Sequence, residues 1–273
     1  MSKSKVVVSN GLISAVQKLT LTEKRMLMLA VTKIDEGLGI EQAITINAAE
    51  FSKVYGLKKD AVYKSLKRAE VRLWNRELVM MDMTPPMVLR WIISRAYVAG
   101  EGEVHLRFHP DLDGHVINLK SHFTQYLLSR AAEFKHLCSW RMFEKIMQFR
   151  KTGVWSISVE EFKQIMEVPK AYDKDFGIVR RKIINLAIKE IKEKDGLEIN
   201  CEVSKRGRKI TGLKFTFPPE QQAALPLQQP KRQSVGNKRI TKAYIEQHAR
   251  PGETYEQARI RLQEEQRKYK EVA

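Results

Sequence analysis

A group of polar side chains near the end of the first two hundred residues has the chemistry to recognise nucleic-acid bases. They are Arg180, Arg181, Asn185 and Lys189. They recur on the side of a predicted helix that faces away from its apolar residues. An arginine can bond guanine through two hydrogen bonds, and an asparagine can do the same with adenine. Arg181 and Asn185 therefore have the right chemistry for base readout, whereas the neighbouring Lys174 and Lys182 suit phosphates.

A short cationic loop follows this helix. It consists of Lys205, Arg206, Gly207, Arg208 and Lys209. It joins two strand-like runs, residues 197–203 and 210–217, which predict a β-hairpin. Gly207 is the turn residue that tolerates a positive φ. A cationic hairpin beside a recognition helix is placed to touch the DNA backbone or the minor groove.

The elements that must position these residues occur twice in the chain. Two stretches have the same residue types at the same spacing: Ile46, Glu50, Phe51, Val54, Tyr55 and Leu57, then Ile157, Glu161, Phe162, Ile165, Met166 and Val168. Asn47 and Ser158 stand where helix N-caps are expected. Each stretch leads through a polar turn into a second cationic helix and then into strand-like residues. This order predicts a duplicated helix-turn-helix with a wing.

The first copy carries its own candidate contacts. They are Lys58, Lys64, Lys67, Arg68 and Arg72, on or next to a helix predicted over residues 60–76. Apolar residues at Val62, Leu66 and Ala69 form its inner side, and in the second copy they correspond to Val179, Ile183 and Leu186. A solvated basic face is the alternative interpretation of these cations. Their position on the helix that follows the turn favours DNA contact in a major groove.

Composition limits the classes of function. The chain of 273 residues is 43% hydrophobic, and its 49 lysines and arginines exceed 32 acidic residues to give a net charge of +17. Such a surface attracts polyanions. No apolar run approaches the roughly 20 residues that span a bilayer, and the N-terminus lacks the apolar core of a signal peptide. We therefore expect a cytoplasmic protein that does not bind membranes.

Catalytic, metal and cofactor sites are not predicted. Cys138 and Cys201 each stand alone, which favours reduced, buried thiols. His105, His109 and His115 lie near Asp111, but Pro110 breaks the spacing that a metal site would need. The sequence also has no phosphate-binding glycine loop with the required lysine. We expect a protein that is not an enzyme and has no cofactor.

The predicted fold class is α+β and mainly helical, with two pseudo-symmetric winged-helix domains, β-hairpin wings and a charged C-terminal tail. The domains are expected at residues 1–130, 131–217 and 218–273. Residues 126–150 are predicted to be helical and to bridge the first two domains. In the tail, residues 218–230 are predicted to be a linker, and residues 238–248 and 255–269 to be charged helices.

Several segments resemble the plasmid replication initiators that bind iterons. They are residues 8–13, 19–25, 176–191 and 205–215. The resemblance implies two winged-helix domains, monomers bound to directly repeated origin sequences, opening of an AT-rich segment, and recruitment of the host initiator and replicative helicase. It also implies dimers that repress their own gene at an inverted repeat. The N-terminal domain would then serve dimerisation and DNA binding, and the C-terminal domain would be the main iteron-binding domain.

Carried over residue by residue, the resemblance gives the DNA-reading role to Arg180, Arg181, Asn185, Lys189, Arg206 and Arg208, with Lys64, Lys67 and Arg68 in the first domain. Two alternatives remain open. One is a winged-helix transcriptional repressor without a replication role. The other is a strand-nicking initiator that would use Tyr126 or Tyr97 with the histidines at 105–115.

Overall fold

Two helix-turn-helix units, each backed by a small antiparallel sheet, make up the first part of the protein. The computed structural model describes residues 4–81, 84–119, 121–172, 175–207, 209–219 and 253–271. The described residues up to 219 belong to one compact unit, and residues 253–271 belong to a second. The mixed helix-and-strand class and the paired winged-helix architecture are as predicted. The division into domains 1–130, 131–217 and 218–273 stays a prediction.

The first winged-helix half contains three small sheets around two packed helices. Its elements are β1 (Lys5–Ser9), α1 (Asn10–Ser14), α2 (Leu21–Val31), β2 (Ile44–Asn47), α3 (Ala48–Tyr55), α4 (Lys59–Trp74), β3 (Glu77–Met80), β4 (Met87–Arg90), β5 (Ile92–Val98), β6 (Glu103–Phe108), α5 (Asp113–Val116), β7 (Phe123–Leu127) and α6 (Leu128–Ala132). The sheets have the strand orders β2-β6-β5, β3-β4 and β1-β7. All of their pairs are antiparallel.

Local signals account for the first helix-turn-helix. The Asn47 side chain accepts a hydrogen bond from the Ala49 N–H, which confirms Asn47 as the N-cap of α3. Gly56 ends α3 in the left-handed conformation, with φ of 60°. Phe51 and Leu66 are fully buried and hold α3 and α4 in the same core.

The second half repeats this plan. Its elements are α7 (Leu137–Gln148), β8 (Val154–Ser158), α8 (Val159–Ile165), α9 (Phe176–Val179), α10 (Leu186–Asp195), β9 (Asn200–Arg206) and β10 (Lys209–Thr216). The predicted hairpin of β9 and β10 is confirmed, and β8 adds to it in the order β8-β10-β9. Ser158 and Glu161 form a reciprocal capping box at the start of α8. Trp155 stacks on Phe215, with ring centroids 4.8 Å apart, and closes the core.

A single π-helical turn, Arg180–Asn185, joins α9 to α10 into one continuous recognition helix. A turn closed by i→i+5 hydrogen bonds holds about one residue more than an α-helical turn. The inner side of the helix consists of six buried residues: Val179, Ile183, Ile184, Ala187, Glu190 and Ile191. Leu186 is only partly buried, so its prediction as an inner residue is wrong. Ala187, one residue later, takes that position.

The segment that links the two halves, residues 126–150, was predicted to be helical, but it begins with the end of a strand. Residues Phe123–Leu127 form strand β7, because Tyr126 pairs with Val6 of β1 and their neighbours pair in register. The helical prediction is correct only from α6 onward. A partner far away in the sequence thus decides the conformation of an apolar run that suits either structure.

Helix α7 lies at the centre of the core and carries several buried charges. Lys24 on α2 forms a buried ion pair with Glu144, with 2.8 Å between Nζ and Oε2. Tyr126 donates a hydrogen bond of 2.7 Å to the same carboxylate. Lys145 is also buried, and its ammonium donates to the hydroxyl of Ser14 and the side-chain oxygen of Gln148. Such groups remain in a core only when each has partners.

The second unit is described over residues 253–271 only. There α11 (Tyr255–Glu271) confirms the helix predicted over residues 255–269. The other predicted tail helix, 238–248, lies outside the described residues, and so does most of the predicted linker. Within the described ranges, no helix combines the length and apolar character needed to cross a membrane.

Candidate nucleic-acid interface

The outer face of α4 presents the cations predicted for the first domain. Lys58, Lys64, Lys67, Arg68 and Arg72 are all exposed, while Val62, Leu66, Ala69 and Leu73 on the opposite side are buried. Among these cations in the described chain, Lys67 alone lies over an aromatic ring, with its Nζ 5.8 Å from the centroid of the Tyr97 ring. The structure therefore brings this predicted set together on one surface of one helix.

A groove separates α4 from the edge strand β5. It has a volume of about 720 Å³, and its walls include Lys67, Val71, Trp74 and Ile93. Val71 and Ile93 are 45% and 40% exposed, so two large apolar side chains lie next to the basic face. The first recognition helix thus presents a mixed surface, with cations along one side and an apolar groove along the other.

The second recognition helix presents a more uniform polar surface. Arg180, Arg181, Lys182, Asn185 and Lys189 are all exposed on its outer side. No acidic side chain among the described residues lies within ion-pairing distance of Arg180, Arg181 or Lys182. Lys189 has one weak partner, Glu193, at 3.8 Å one turn along the helix. Side chains without internal partners are available to a ligand.

The π turn contains four of these groups. Arg180, Arg181, Lys182 and Asn185 are exposed, whereas Ile183 and Ile184 of the same turn are buried. Single π turns in α-helices are frequent at functional sites. The arrangement offers three cationic groups and one amide within six consecutive residues, which suits a groove that displays both phosphates and base edges.

The wing carries further cations beside this helix. Lys205, Arg206 and Lys209 are exposed at the end of the β9–β10 hairpin, where Arg206 pairs with Lys209. Gly207 has a φ of 62°, which confirms its role as the turn residue. Two predicted site residues, Lys174 and Arg208, lie outside the described residues.

Two models of one protein family match this chain. The "Initiator Replication protein, WH1" model matches residues 5–147. The "Initiator Rep protein, WH2" model matches residues 158–217. The chain belongs to the family of replication initiator proteins.

Known proteins similar to this initiator agree with the assignment. The PI protein of Escherichia coli is 25% identical over 256 residues, which cover 79% of this chain and 83% of that protein. A probable replication protein rep of Bifidobacterium longum is 27% identical over 103 residues, covering 38% of this chain and 34% of that protein. The fold matches the crystal structure of the Pi initiator protein in complex with iteron DNA, with a TM-score of 0.68 and 23% identity over 81% of this chain and 99% of that one.

The histidines considered for strand nicking in this initiator each contact a different neighbouring side chain. His105 lies 3.3 Å from Glu103, His109 lies 3.7 Å from Asp111, and His115 bonds to the hydroxyl of Ser9 at 2.7 Å. Among the residues that the structure describes, no three histidine, cysteine or acidic side chains form a group that could hold a metal ion. The three histidines therefore have separate local partners.

The two tyrosines considered for strand nicking lie in different surroundings. Tyr126 is 4% exposed, and its hydroxyl is bonded to Glu144. Burial and that carboxylate raise its pKa well above the ordinary value, so it stays protonated. Tyr97 is half-buried under Lys67.

The two cysteine thiols are free, as predicted, although they are half-buried rather than fully buried. Burial raises the pKa of both, and that of Cys201 to about 11 despite the opposing charge of Arg180. Neutral thiols are poor metal ligands and poor nucleophiles.

A set of positioning residues around the second recognition helix was not predicted from the sequence. Arg130 holds Asp195 at the end of α10 through two hydrogen bonds of 2.7 Å. Glu190 accepts hydrogen bonds from the Lys135 N–H at 2.8 Å and the His136 ring at 3.0 Å. Burial alone would raise the pKa of Glu190, but hydrogen bonding to the carboxylate outweighs this effect and lowers the pKa. The signal that could have revealed these positioning residues is the presence of charged residues among the apolar positions of the helices in this region.

Proposed function

We propose that this chain starts replication of a plasmid by binding directly repeated sequences, iterons, at the plasmid origin. The observation that carries the proposal is the outer face of the π turn, where Arg181 and Asn185 are exposed and have no acidic partner among the described residues. Membership of the replication initiator family supports it, and so does the likeness in fold to the Pi initiator protein, whose crystal structure was solved in complex with iteron DNA.

In this proposal the second winged helix reads the sequence. Arg180 and Arg181 can each bond guanine at two positions, and Asn185 can bond adenine in the same way. Lys182 and Lys189 suit nearby phosphates. The wing residues Lys205, Arg206, Arg208 and Lys209 and the turn residue Lys174 complete the proposed contacts of this domain.

The first winged helix contributes contacts of a less specific kind. Lys58, Lys64, Lys67, Arg68 and Arg72 are lysines and arginines alone, with no amide among them, which suits phosphates more than base edges. Two winged helices in successive major grooves would cover about 20 base pairs. If about six to ten phosphates are neutralised, a plot of log affinity against log salt concentration should have a slope of about −5 to −9.

The protein would then act by binding rather than by catalysis. Several initiators on tandem sites bend the duplex, and AT-rich or pyrimidine–purine steps open first because they deform most easily. The host initiator and the replicative helicase, which the family resemblance implies as partners, would supply hydrolysis. Because its DNA is a plasmid, we expect the protein in the bacterial cytoplasm.

We further infer a dimer that represses the protein's own gene at an inverted repeat. The edge strand β5 supports this proposal, because its free side borders the groove that exposes Val71 and Ile93. An unpaired edge beside exposed apolar residues is a surface that a second strand can cover.

Footprinting on the DNA that flanks the gene, read with the stoichiometry of binding, tests the proposal. Protection of tandem direct repeats, with one monomer on each, is the expected result. Protection of an inverted repeat alone would contradict the initiator function and would favour a winged-helix repressor. A metal-dependent cut in supercoiled origin DNA would contradict the non-enzymatic mechanism.

A further inference from the structure

A buried polar contact joins the N-terminal segment to the turn of the second helix-turn-helix. We call it the interdomain clip and define it as residues 15–18 together with Arg141 and Glu167. On one side of the clip, Val16 and Val79 exchange backbone hydrogen bonds of 3.1 and 2.9 Å, which attach it to β3. On the other side it contacts Glu167, which lies between α8 and the second recognition helix. The clip therefore connects the strand that follows α4 with the turn that precedes the second recognition helix.

The Glu167 carboxylate is the centre of the clip. Its two oxygens lie 2.9 Å from the Lys18 N–H nitrogen, and one of them also accepts from the Gln17 N–H at 2.5 Å. The same oxygen pairs with Nη1 of Arg141 at 2.9 Å. Arg141 is 3% exposed in its side chain and Glu167 16%, so water screens the pair only weakly.

Arg141 extends the contact to both halves of the molecule. Its Nη2 donates to the carbonyl of Ala15 at 3.0 Å, and its Nε donates to the carbonyl of Ile165 at 2.8 Å. A planar guanidinium with several fixed donors holds its acceptors in one relative orientation. The arginine thus bonds at once to the N-terminal segment and to the end of α8.

The backbone at the clip is held in an unfavourable conformation. In the described chain the non-glycine residues with positive φ are Lys18, His122 and Glu167, and two of these three meet in this contact. Their φ values are 48° and 50°, in the left-handed region that side chains disfavour. Such conformations persist where surrounding contacts impose them, and they are often found where geometry matters for function.

We propose that Glu167, acting through Arg141 and the Gln17 and Lys18 N–H groups, fixes the spacing between the two recognition helices on DNA. This inference rests on the proposed function, since it assumes that both helices occupy one binding site. Glu167 is a positioning residue, because it acts through the orientation of the halves and not by touching DNA. Other contacts, such as the Lys24–Glu144 ion pair, lie at α7 and keep the halves together when the clip is lost.

The consequence for DNA is selectivity for the length of the site. One inserted base pair moves half of the site by about 3.4 Å and rotates it by about 34°. A rigid pair of domains cannot follow both changes, so the wild-type chain should lose about 10- to 100-fold in affinity for each inserted pair, the scale of a mismatched position or two. A protein whose two domains can move relative to each other should lose about threefold or less in affinity for each inserted base pair.

The experiment compares full-length wild-type protein with a Glu167→Gly variant. Glycine removes the carboxylate but tolerates a φ of 50°, so loss of the contact is partly offset by relief of backbone strain. The wild-type chain first selects its preferred duplex from a random library, and chemical footprinting maps the two contacted grooves. Affinity is then measured for that duplex and for duplexes with one or two base pairs inserted between the grooves.

The expected result is that Glu167→Gly binds the selected duplex within about tenfold of wild type and loses most of the insertion penalty. Glu160→Gln is the matched control, because it removes a carboxylate from an exposed residue of the same domain with no contact to the clip. It should keep the full penalty. Glu167→Gln, which keeps the size and one acceptor, should give an intermediate penalty and replaces the glycine variant if that one does not fold.

Two failures can be told apart. If the folded Glu167 variants keep the wild-type penalty, the positioning role is wrong while the proposed function stands. If the wild-type chain selects no sequence, or shows protection in one groove only, the proposed two-domain DNA binding fails and the positioning role fails with it.

Discussion

Replacement of Arg181 by alanine should separate base recognition from general DNA affinity. The guanidinium is exposed on the π turn and pairs with no acid among the described residues, so its removal should change stability by no more than about 0.5 kcal/mol. A bidentate contact to guanine contributes about 1 to 3 kcal/mol of discrimination. At about 1.4 kcal/mol for each tenfold change, this corresponds to about 5- to 150-fold in affinity for the cognate site.

Competition binding measures this effect directly. Duplexes that carry each of the four base pairs at the position contacted by Arg181 are titrated against wild type and against Arg181→Ala, at one fixed salt concentration. Wild type should prefer one base pair, and the variant should bind all four with similar affinity. A melting curve of the free protein, unchanged by the substitution, shows that the loss belongs to the interface.

Lys209→Ala is the matched control for this experiment. Lys209 is an exposed wing cation that we assign to a phosphate, so its loss should weaken binding to all four duplexes alike. It should also reduce the magnitude of the salt slope by about 1. If Arg181→Ala behaved in the same way as Lys209→Ala, the assignment of base recognition to the π turn would be wrong.

Further predictions concern salt and pH. The slope of log affinity against log salt should lie between about −5 and −9, and a slope near −2 would contradict a two-domain footprint. Burial, with a smaller effect from Arg141, lowers the pKa of Lys145 from 10.5 to about 8. Because the unfolded chain keeps that proton up to about pH 10.5, the free energy of unfolding should rise by about 3 kcal/mol between these pH values, and Lys145→Met should remove that rise in denaturant titrations. The pKa of Glu190 is lowered in the fold, so its stabilising effect is present above its ordinary pKa of 4.5 and lost as pH falls through the folded value. Glu190→Gln should therefore unfold with a weaker acid dependence, and an unchanged acid midpoint and slope would contradict this.

Local signals were sufficient to predict the helix-turn-helix units. Asn47 and Ser158 act as N-caps because a side-chain oxygen near a free N–H needs no distant partner. The β9–β10 hairpin was likewise set by Gly207 between two apolar runs. The cations on α4 and the π turn were placed correctly on outer faces, because helical spacing alone decides which side of a helix a residue occupies.

Contacts between residues far apart in the chain could not be predicted from the sequence. The last two residues of β7, Tyr126 and Leu127, were predicted to be helical, because the local sequence does not reveal their pairing with β1 near the N-terminus. The clip was missed for the same reason, since Glu167 and Gln17 meet only in the folded chain. The π turn was not predicted either, and with it Ala187 rather than Leu186 became a buried residue of the second recognition helix.

The π turn also limits how the two halves of this initiator can be recombined. Helix α4 is α-helical from Lys59 to Trp74, whereas the second recognition helix contains the π turn Arg180–Asn185. The two recognition helices are therefore related by duplication but are no longer interchangeable modules. A chimera that transplants the reading face of one onto the other must carry the additional residue with it, or every side chain beyond Ile183 will turn away from the groove it is meant to enter.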